Sequence, residues 1–221
     1  MNRLFVFDWN GCLLADTKIC WKANNFVLKK FGRKQLSLKQ FMDFMSIPIK
    51  EFYLKTGFSE KEIQEFGKEM SELFHKTYEL NAANCRTRKG TKELLNWVQA
   101  QGDQAIILSN HSKKGIEFQL ERLNLKDYFT EVLANSSEYE VVVQRTKAGK
   151  LQNYLNAHNF GKSNIVILGD SIEEIMVGKE LGITSIAVIG GNYSKHRLVA
   201  EKPSFLANHL LDVKAILEKK F

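Results

Sequence analysis

The sequence has few cysteines and no long run of apolar residues. Its three cysteines, Cys12, Cys20 and Cys85, are scattered, and no two have the spacing of metal ligands. We therefore expect reduced thiols in a cytoplasmic protein. Nowhere do roughly eighteen apolar residues follow one another, and only Arg3 precedes the first short apolar run. We expect neither a membrane span nor a signal peptide.

The sequence also lacks the features of a nucleic-acid-binding protein. Its formal net charge of +7 attracts anionic ligands at long range. It contains, however, no arginine-rich arm and no basic helix with interleaved aromatic residues. We therefore interpret most lysines as a solvated surface and expect no nucleic acid and no membrane as partner. Monomer and homodimer both remain open.

The apolar residues that are present predict an α/β fold. Leu4–Phe7 has no polar alternation, which indicates a strand buried on both faces of a parallel sheet. After Gly90, similar runs alternate with segments of helical spacing. The further predicted strands are Gln104–Leu108, Glu131–Ala134, Asn164–Leu168 and Thr184–Ile189. Five such strands predict a doubly wound, Rossmann-like parallel sheet.

The stretch from about Thr17 to about Asn84 shows no strand pattern. Its apolar residues recur at helical spacing, with breaks at Gly32, Pro48 and Gly57. Ser59 and Glu62 have the spacing of a capping box. We predict a small all-helical cap domain at residues 15–85, inserted into a core domain made of residues 1–14 and 86–221.

Polar residues follow three of the predicted strands. Asp8, Ser109 and Asp170 each come where an apolar run ends, so they should meet at one edge of the sheet. Two carboxylates converging there would repel each other unless a cation lay between them, and oxygen ligands favour Mg²⁺. Glu174 lies about one helical turn beyond Asp170, close enough to support the metal site.

The same edge has residues suited to a phosphate group. Ser109 and the backbone N–H groups of Asn110 and His111 precede a predicted helix and can hold phosphate oxygens. Lys147, just before another helix, can supply a positive charge. This leaves Asp8 as a nucleophile toward phosphorus, with an aspartyl-phosphate as the expected intermediate.

These motifs resemble the haloacid dehalogenase superfamily. The first motif of that family matches Asp8-Trp9-Asn10-Gly11-Cys12, and the second matches Ser109 at the end of a strand. The third matches Lys147, with Lys150 as an alternative lysine. The fourth matches Gly169-Asp170 with Glu174 four residues on. The resemblance spans nearly the whole chain.

The resemblance implies a Mg²⁺-dependent, phosphoglycolate phosphatase-like enzyme with a helical cap that acts on a small phosphorylated metabolite. It implies catalytic roles for Asp8, Asn10, Ser109 and Lys147. It also implies phosphate binding by Ser109, Asn110 and Lys147. The implied metal ligands are Asp8, Asn10 through its backbone carbonyl, Asp170 and Glu174.

Two positions depart from the family pattern. Cys12 replaces the usual threonine or valine, and we interpret it as a small packed side chain. Asn10 replaces the second aspartate, which in the family protonates the leaving oxygen and later deprotonates water. A carboxamide can hydrogen-bond but cannot exchange protons in this way, and losing a general acid–base costs roughly 10²–10⁴ in rate. We expect the metal site to survive while turnover slows, unless His111 or another group carries the proton.

Two alternative interpretations of the function remain open. Phosphonoacetaldehyde hydrolase resembles this chain in lacking the second acid, and it uses a cap lysine to form a Schiff base; Lys50 lies in the corresponding region. Alternatively, the chain is a weakly active or inactive regulatory protein that binds metal and phosphate. A dehalogenase is disfavoured by the Asp170 and Glu174 pair. We expect substrate specificity to rest on cap residues such as Lys50, Trp21 and Lys22.

Overall fold

A six-stranded parallel sheet forms the centre of the molecule. The computed structural model describes residues 3–135 and 147–219. The strands are β1 (Leu4–Phe7), β2 (Gln104–Ser112), β3 (Glu131–Asn135), β4 (Ile165–Gly169), β5 (Thr184–Val188) and β6 (Phe205–Ala207). Their order is β3-β2-β1-β4-β5-β6, and every neighbouring pair is parallel. The predicted parallel α/β architecture is confirmed.

The prediction of five strands is wrong, because β6 adds a sixth at the edge. This strand has only three residues and follows Pro203, so it shows no apolar run of the length that marks the others. It pairs with β5 through Ile186–Val188. Its short length also limits the unpaired edge of the sheet.

Helices cover both faces of the sheet, as a doubly wound fold requires. They are α5 (Thr91–Ala100), α6 (Lys113–Leu123), α7 (Lys147–Ala157), α8 (Ile172–Leu181), α9 (Lys195–Ala200) and α10 (Leu210–Glu218). Phe5 and Phe7 face one apolar cluster, which includes residues of α5, α6 and α10. Leu4 and Val6 face a second cluster with residues of α7 and α8. This alternation explains why β1 is apolar at every position.

The residues between β1 and α5 fold as four helices. These are α1 (Thr17–Lys30), α2 (Leu38–Phe44), α3 (Ile49–Lys55) and α4 (Glu60–Ala82). They share an apolar cluster that includes Val27, Phe41, Phe52 and Met70. The predicted capping box is confirmed, since Ser59 accepts from the backbone N–H of Glu62 and the Glu62 side chain accepts from that of Ser59. In the described ranges, no helix is long and apolar enough to cross a membrane.

The chain reverses its direction of winding at β1, and this feature positions the site. β2 and β3 lie on one side of β1, whereas β4, β5 and β6 lie on the other. In open α/β sheets, ligands bind beyond the carboxyl ends of strands at such a reversal. The carboxyl ends of β1, β2 and β4 are therefore the expected place for chemistry.

Candidate active site

The structure brings Asp8, Ser109 and Asp170 to one edge of the sheet. Asp8 directly follows β1 and Asp170 directly follows β4, the strand beside it. Ser109 lies in β2 on the other side of β1, where the β2–β3 register shifts between Leu108 and Ser112. All three side chains are buried, and all three line one cavity. Burial strengthens the interactions among these groups because water screens them little.

Lys147 is the cation that contacts Asp8. It is the first residue of α7, and its Nζ lies 2.6 Å from Oδ1 of Asp8. Nζ also donates to Glu174 and lies 3.6 Å from Oε2 of Glu173. Burial alone would lower the pKa of Lys147, but the surrounding carboxylates outweigh it and raise that pKa well above its ordinary value. Lys147 therefore carries its charge at neutral pH.

Lys150 occupies a different place from Lys147. Its Nζ donates to the backbone carbonyl of Ser109 at 3.3 Å and to the side chain of Asn135. Asn135 in turn donates to the carbonyl oxygen of Asn110 at 2.7 Å. Lys150 thus braces the Ser109–Asn110 backbone, while Lys147 contacts the predicted nucleophile.

Glu174 supports Lys147, and its geometry differs from that of a direct metal ligand. One carboxylate oxygen accepts from Lys147, and the other accepts from the Ser171 hydroxyl at 2.7 Å. Ser171 and Glu174 form the capping box at the start of α8, which fixes this orientation. Both oxygens of Glu174 therefore have protein partners, and the contact with Lys147 positions that lysine; its role as a metal ligand stays a prediction.

The Asp170 carboxylate lies in a close-fitting backbone cradle. The backbone N–H of Asn192 donates to its Oδ2. A Cβ atom at Gly11 would lie 2.4 Å from that oxygen, and one at Gly191 would lie 2.1 Å away. Burial and the nearby Glu174 raise the pKa of Asp170 to about 7. Only glycine at these two positions leaves room for the carboxylate.

The donors at this edge fit a Mg²⁺ ion. Burial raises the pKa of Asp8, with Glu174 and Asp170 adding to it and Lys147 opposing it. The charge of Asp170 helps to raise the pKa of Asp8, a repulsion that a bound cation would relieve. Among the described residues, no three His, Cys, Asp or Glu side chains form a metal-binding group by themselves. Mg²⁺ suits such a site because it often takes only one or two carboxylates and completes its shell with phosphate and water.

Asn10, Asp16 and Tyr78 form a hydrogen-bonded cluster that the sequence pattern does not predict. The Asn10 side chain donates to Oδ2 of Asp16 at 2.7 Å and lies 2.7 Å from the Tyr78 hydroxyl. Tyr78 donates to Oδ2 of Asp16 at 2.5 Å, and the backbone N–H of Gly11 donates to Oδ1 at 2.7 Å. Asp16 is fully buried, which raises its pKa, although these hydrogen bonds lower it.

The residues predicted to bind phosphate lie beside the nucleophile. The backbone N–H of His111 donates to the Ser109 hydroxyl at 3.1 Å, and the Asn110 side chain donates to Glu173 at 2.7 Å. Burial and the neighbouring His75 lower the pKa of His111 to about 4. His111 is therefore neutral at neutral pH, where it can accept a proton but has little of the charged form to donate one.

Cys12 is a packed side chain, as interpreted from the sequence. It is fully buried, and its Sγ lies 3.8 Å from the carbonyl oxygen of Leu168. Burial raises the pKa of the thiol well above its ordinary value, and Asp8 and Asp170 add to this effect. A thiol held in its protonated form is a poor nucleophile.

A cavity of about 320 Å³ opens from this edge toward the helices α1–α4. Of the predicted specificity residues, Lys50 lines the cavity, and its Nζ lies 3.0 Å from the Glu60 carboxylate. Trp21 and Lys22 do not line it. The Trp21 indole donates to the carbonyl oxygen of Leu36 at 2.7 Å, and Lys22 is exposed to solvent. Their positions do not support the predicted contact with substrate.

Comparisons with known proteins agree with this geometry. Residues 5–188 match a family model described as haloacid dehalogenase-like hydrolase. Among curated proteins, a phosphoglycolate phosphatase of Vibrio vulnificus is 25% identical over 220 residues, covering 96% of this chain and 95% of that protein. Phosphoglycolate phosphatase 1 of Pseudomonas aeruginosa is 20% identical over 218 residues, covering 96% and 79%.

Solved structures share the fold along almost the entire chain. A predicted phosphatase from Clostridium acetobutylicum superposes with a TM-score of 0.82 at 18% identity, covering 99% of both chains. A predicted phosphoglycolate phosphatase from Haemophilus somnus gives a TM-score of 0.77 at 19% identity, covering 98% of both. The arrangement of strands that carries Asp8, Ser109 and Asp170 is thus the arrangement of these structures.

Proposed function

Because the chain belongs to the haloacid dehalogenase-like hydrolase family, we propose that it is a Mg²⁺-dependent phosphatase that uses Asp8 as its nucleophile. Phosphoric monoester hydrolysis is the activity that the family and the curated phosphoglycolate phosphatases support. The substrate is a small phosphorylated metabolite. The observation that carries the proposal is the 2.6 Å contact between Lys147 and Asp8 beside the buried Asp170.

The chemistry follows from these contacts. Asp8 attacks phosphorus, the bond from phosphorus to the alcohol oxygen breaks, and an aspartyl-phosphate forms. Lys147, with Ser109 and the backbone after it, holds phosphoryl oxygens as charge redistributes. Water then hydrolyses the aspartyl-phosphate, which releases phosphate and restores Asp8. Glu174 keeps Lys147 directed at this position through their ion pair.

Asp8, Asp170 and the backbone carbonyl of Asn10 would hold the Mg²⁺ ion. When bound, the ion supplies positive charge that offsets the carboxylates and the phosphate. The shared cavity of Asp8 and Asp170, and the glycine cradle around Asp170, support this assignment. Lys147 and Glu174 need no metal for their own ion pair.

Asn10 makes this a slow phosphatase for substrates with poor leaving groups. Its amide nitrogen already donates to Asp16 and lies beside Tyr78, so it holds a fixed place and brings no exchangeable acid to the leaving oxygen. The departing alkoxide must then take its proton from water. Substrates whose leaving groups need no proton should react fastest.

Residues 15–85 act as a cap domain over a core made of residues 1–14 and 86–221. Support comes from the separate apolar cluster of α1–α4 and from the cavity that these helices share with the strand ends. Tyr78 on α4 contacts Asn10 directly, which links the helices to the loop after the nucleophile.

The surroundings of Lys50 favour phosphoryl transfer over Schiff-base chemistry. Lys50 and Glu60 form an ion pair, with 47% and 74% of their side chains exposed. An imine requires the Lys50 nitrogen to reach a substrate carbonyl, whereas here that nitrogen contacts the Glu60 carboxylate. Failure to trap an imine at Lys50 with borohydride and phosphonoacetaldehyde would agree with this interpretation.

The test is phosphate release from 4-nitrophenyl phosphate with and without Mg²⁺. We expect release by the unmodified chain, loss on chelation, and loss in Asp8→Ala. Asp127→Ala, which removes an exposed carboxylate elsewhere, should keep full activity. Absence of release from a broad metabolite panel, with Mg²⁺ binding intact by calorimetry, would reject a phosphatase and favour a regulatory binding protein.

A further inference from the structure

We infer that the substrate of this enzyme is a phosphomonoester whose alcohol portion is uncharged and mainly apolar. The inference rests on the proposed phosphatase function and adds a substrate class to it. Its basis is the composition of the cavity walls away from Asp8 and Lys147.

The part of the cavity formed by the helices and the α9 region is apolar. Its walls include Met45, Ile47, Ile49, Ile63, Phe74 and Tyr193. Ile47 and Ile49 are 45% and 37% exposed, so an apolar ligand would remove their surface from water. At about 320 Å³ the cavity lies near the lower end of the range for small-molecule sites, roughly 300–1,000 Å³. It suits a body of one ring or a short branched chain.

The described walls carry two lysines, Lys50 and Lys147, and the imidazoles of His75 and His111, and each lysine already contacts a carboxylate. Lys147 is already shared among Asp8, Glu173 and Glu174. Lys50 is paired with Glu60. Burial keeps the pKa of His111 at about 4, so this imidazole is neutral under ordinary conditions. Acidic residues are numerous on the same walls: Asp8, Asp16, Asp170 and Glu173.

Asn24 of α1 adds a second, independent observation. It lines the cavity, is 1% exposed, and uses its side-chain N–H to donate to the carbonyl of Cys20 at 2.9 Å. Its Oδ1 is buried without a hydrogen-bond partner among the described residues. An unpartnered carbonyl oxygen repels a carboxylate and accepts from a hydroxyl or amine. Asn24 therefore contributes no positive charge to the cavity wall.

This composition differs from the one expected in an enzyme for phosphoglycolate, a small substrate that carries a carboxylate as well as a phosphate. The carboxylate of such a substrate would enter mainly apolar walls, on which both lysines already contact carboxylates. Burying an unpaired charge is costly, whereas an apolar group of similar size gains from leaving water.

A matched pair of substrates tests the inference. Benzyl phosphate and 4-carboxybenzyl phosphate differ by one carboxylate at the end remote from phosphorus. We expect kcat/KM for benzyl phosphate to be higher by about tenfold or more, mainly through KM, because the added charge is unpaired. Equal values, or a preference for the carboxylate, would overturn the inference.

Two lysine variants test whether the apolar cavity wall causes the preference for benzyl phosphate. Ile49→Lys places a cation on the cavity wall and should reduce the preference for benzyl phosphate or reverse it. Leu80→Lys makes the same change at a residue 73% exposed and outside the cavity, and should leave the ratio unchanged. An unchanged ratio in Ile49→Lys would count against the assigned wall.

A binding measurement keeps this outcome distinct from failure of the phosphatase proposal. Benzylphosphonate and 4-carboxybenzylphosphonate cannot be hydrolysed, and calorimetry gives their affinities directly. Preferential binding of benzylphosphonate, together with no release from 4-nitrophenyl phosphate or the metabolite panel, would support the cavity inference and reject the phosphatase. Turnover of both phosphates without preference would do the reverse.

Discussion

The side-chain nitrogen of Asn10 lies 2.7 Å from Oδ2 of Asp16 and donates a hydrogen bond to it. The pair places an amide where the related family motif has an acid, and a fully buried carboxylate directly beside it. Replacing Asn10 by aspartate would bring two carboxyl groups together in a buried place. One of them would then have to hold a proton or turn away.

This relationship determines how Asn10→Asp should affect turnover. We expect the single variant to gain little activity, since the new carboxyl would share its proton with Asp16 rather than give it to the leaving oxygen. The double variant, Asn10→Asp with Asp16→Asn, restores the hydrogen bond with its direction reversed: the amide at position 16 donates to the carboxyl at position 10. It therefore leaves an acid at position 10. Its kcat should rise by about tenfold or more over the unmodified chain.

The measurement is kcat for benzyl phosphate in all four members of the cycle, with Asp16→Asn as the control. Because an Asn-Gly pair can deamidate, intact mass must show that Asn10 is unchanged in each sample. An additive cycle, with no gain specific to the double variant, would contradict the coupling.

The positions of the strand-end residues could be predicted from the sequence because the signal lies within a few neighbouring residues. An apolar run followed by Asp8 or Asp170 marks a strand and its carboxyl end, and parallel strands bring those ends together. The contact of Asp16 with Tyr78 could not be predicted in this way, since 62 positions separate the two residues. Only the packing of α4 against α1 brings them together. The sequence does not predict β6, because its three residues are too few to form a recognisable apolar run.

Tyr78 should contribute to stability through its hydroxyl group. Tyr78→Phe removes the donor to Asp16 and leaves a buried carboxylate with one partner fewer. We expect the free energy of unfolding to fall by about 1–3 kcal/mol in urea denaturation. Tyr128→Phe is the matched control, because its hydroxyl bonds Asn96 at an exposed position. A loss no larger than that of the control would reject the assigned role.

Lys147 and Lys150 should differ sharply when each is replaced by methionine. Lys147→Met leaves Asp8 and Glu174 buried without their cation, which should cost about 3–5 kcal/mol in stability and abolish measurable turnover. Lys150→Met removes a brace to Ser109 and Asn135 and leaves the contact of Lys147 with Asp8 in place, so activity should persist at a reduced level. Steady-state kinetics of both variants, with folding checked by circular dichroism, gives the comparison. Greater loss in Lys150→Met would reverse the assignment.

His111 should make the folded protein sensitive to acid. Burial and His75 lower its pKa from 6.5 to about 4. Glu79, 3.3 Å from Nε2, favours the charged imidazolium, but about half of its side chain is exposed, so burial prevails. The unfolded chain therefore binds this proton more tightly, and the stabilisation present above pH 6.5 is lost as the pH falls through 4. The loss is about 3 kcal/mol at pH 4.

His111→Gln should flatten this decline in the free energy of unfolding, measured by urea denaturation between pH 6.5 and pH 4. Replacing the exposed His158 by glutamine is the control and should leave the decline unchanged. Equally steep declines in the unmodified chain and His111→Gln would show that another group is responsible.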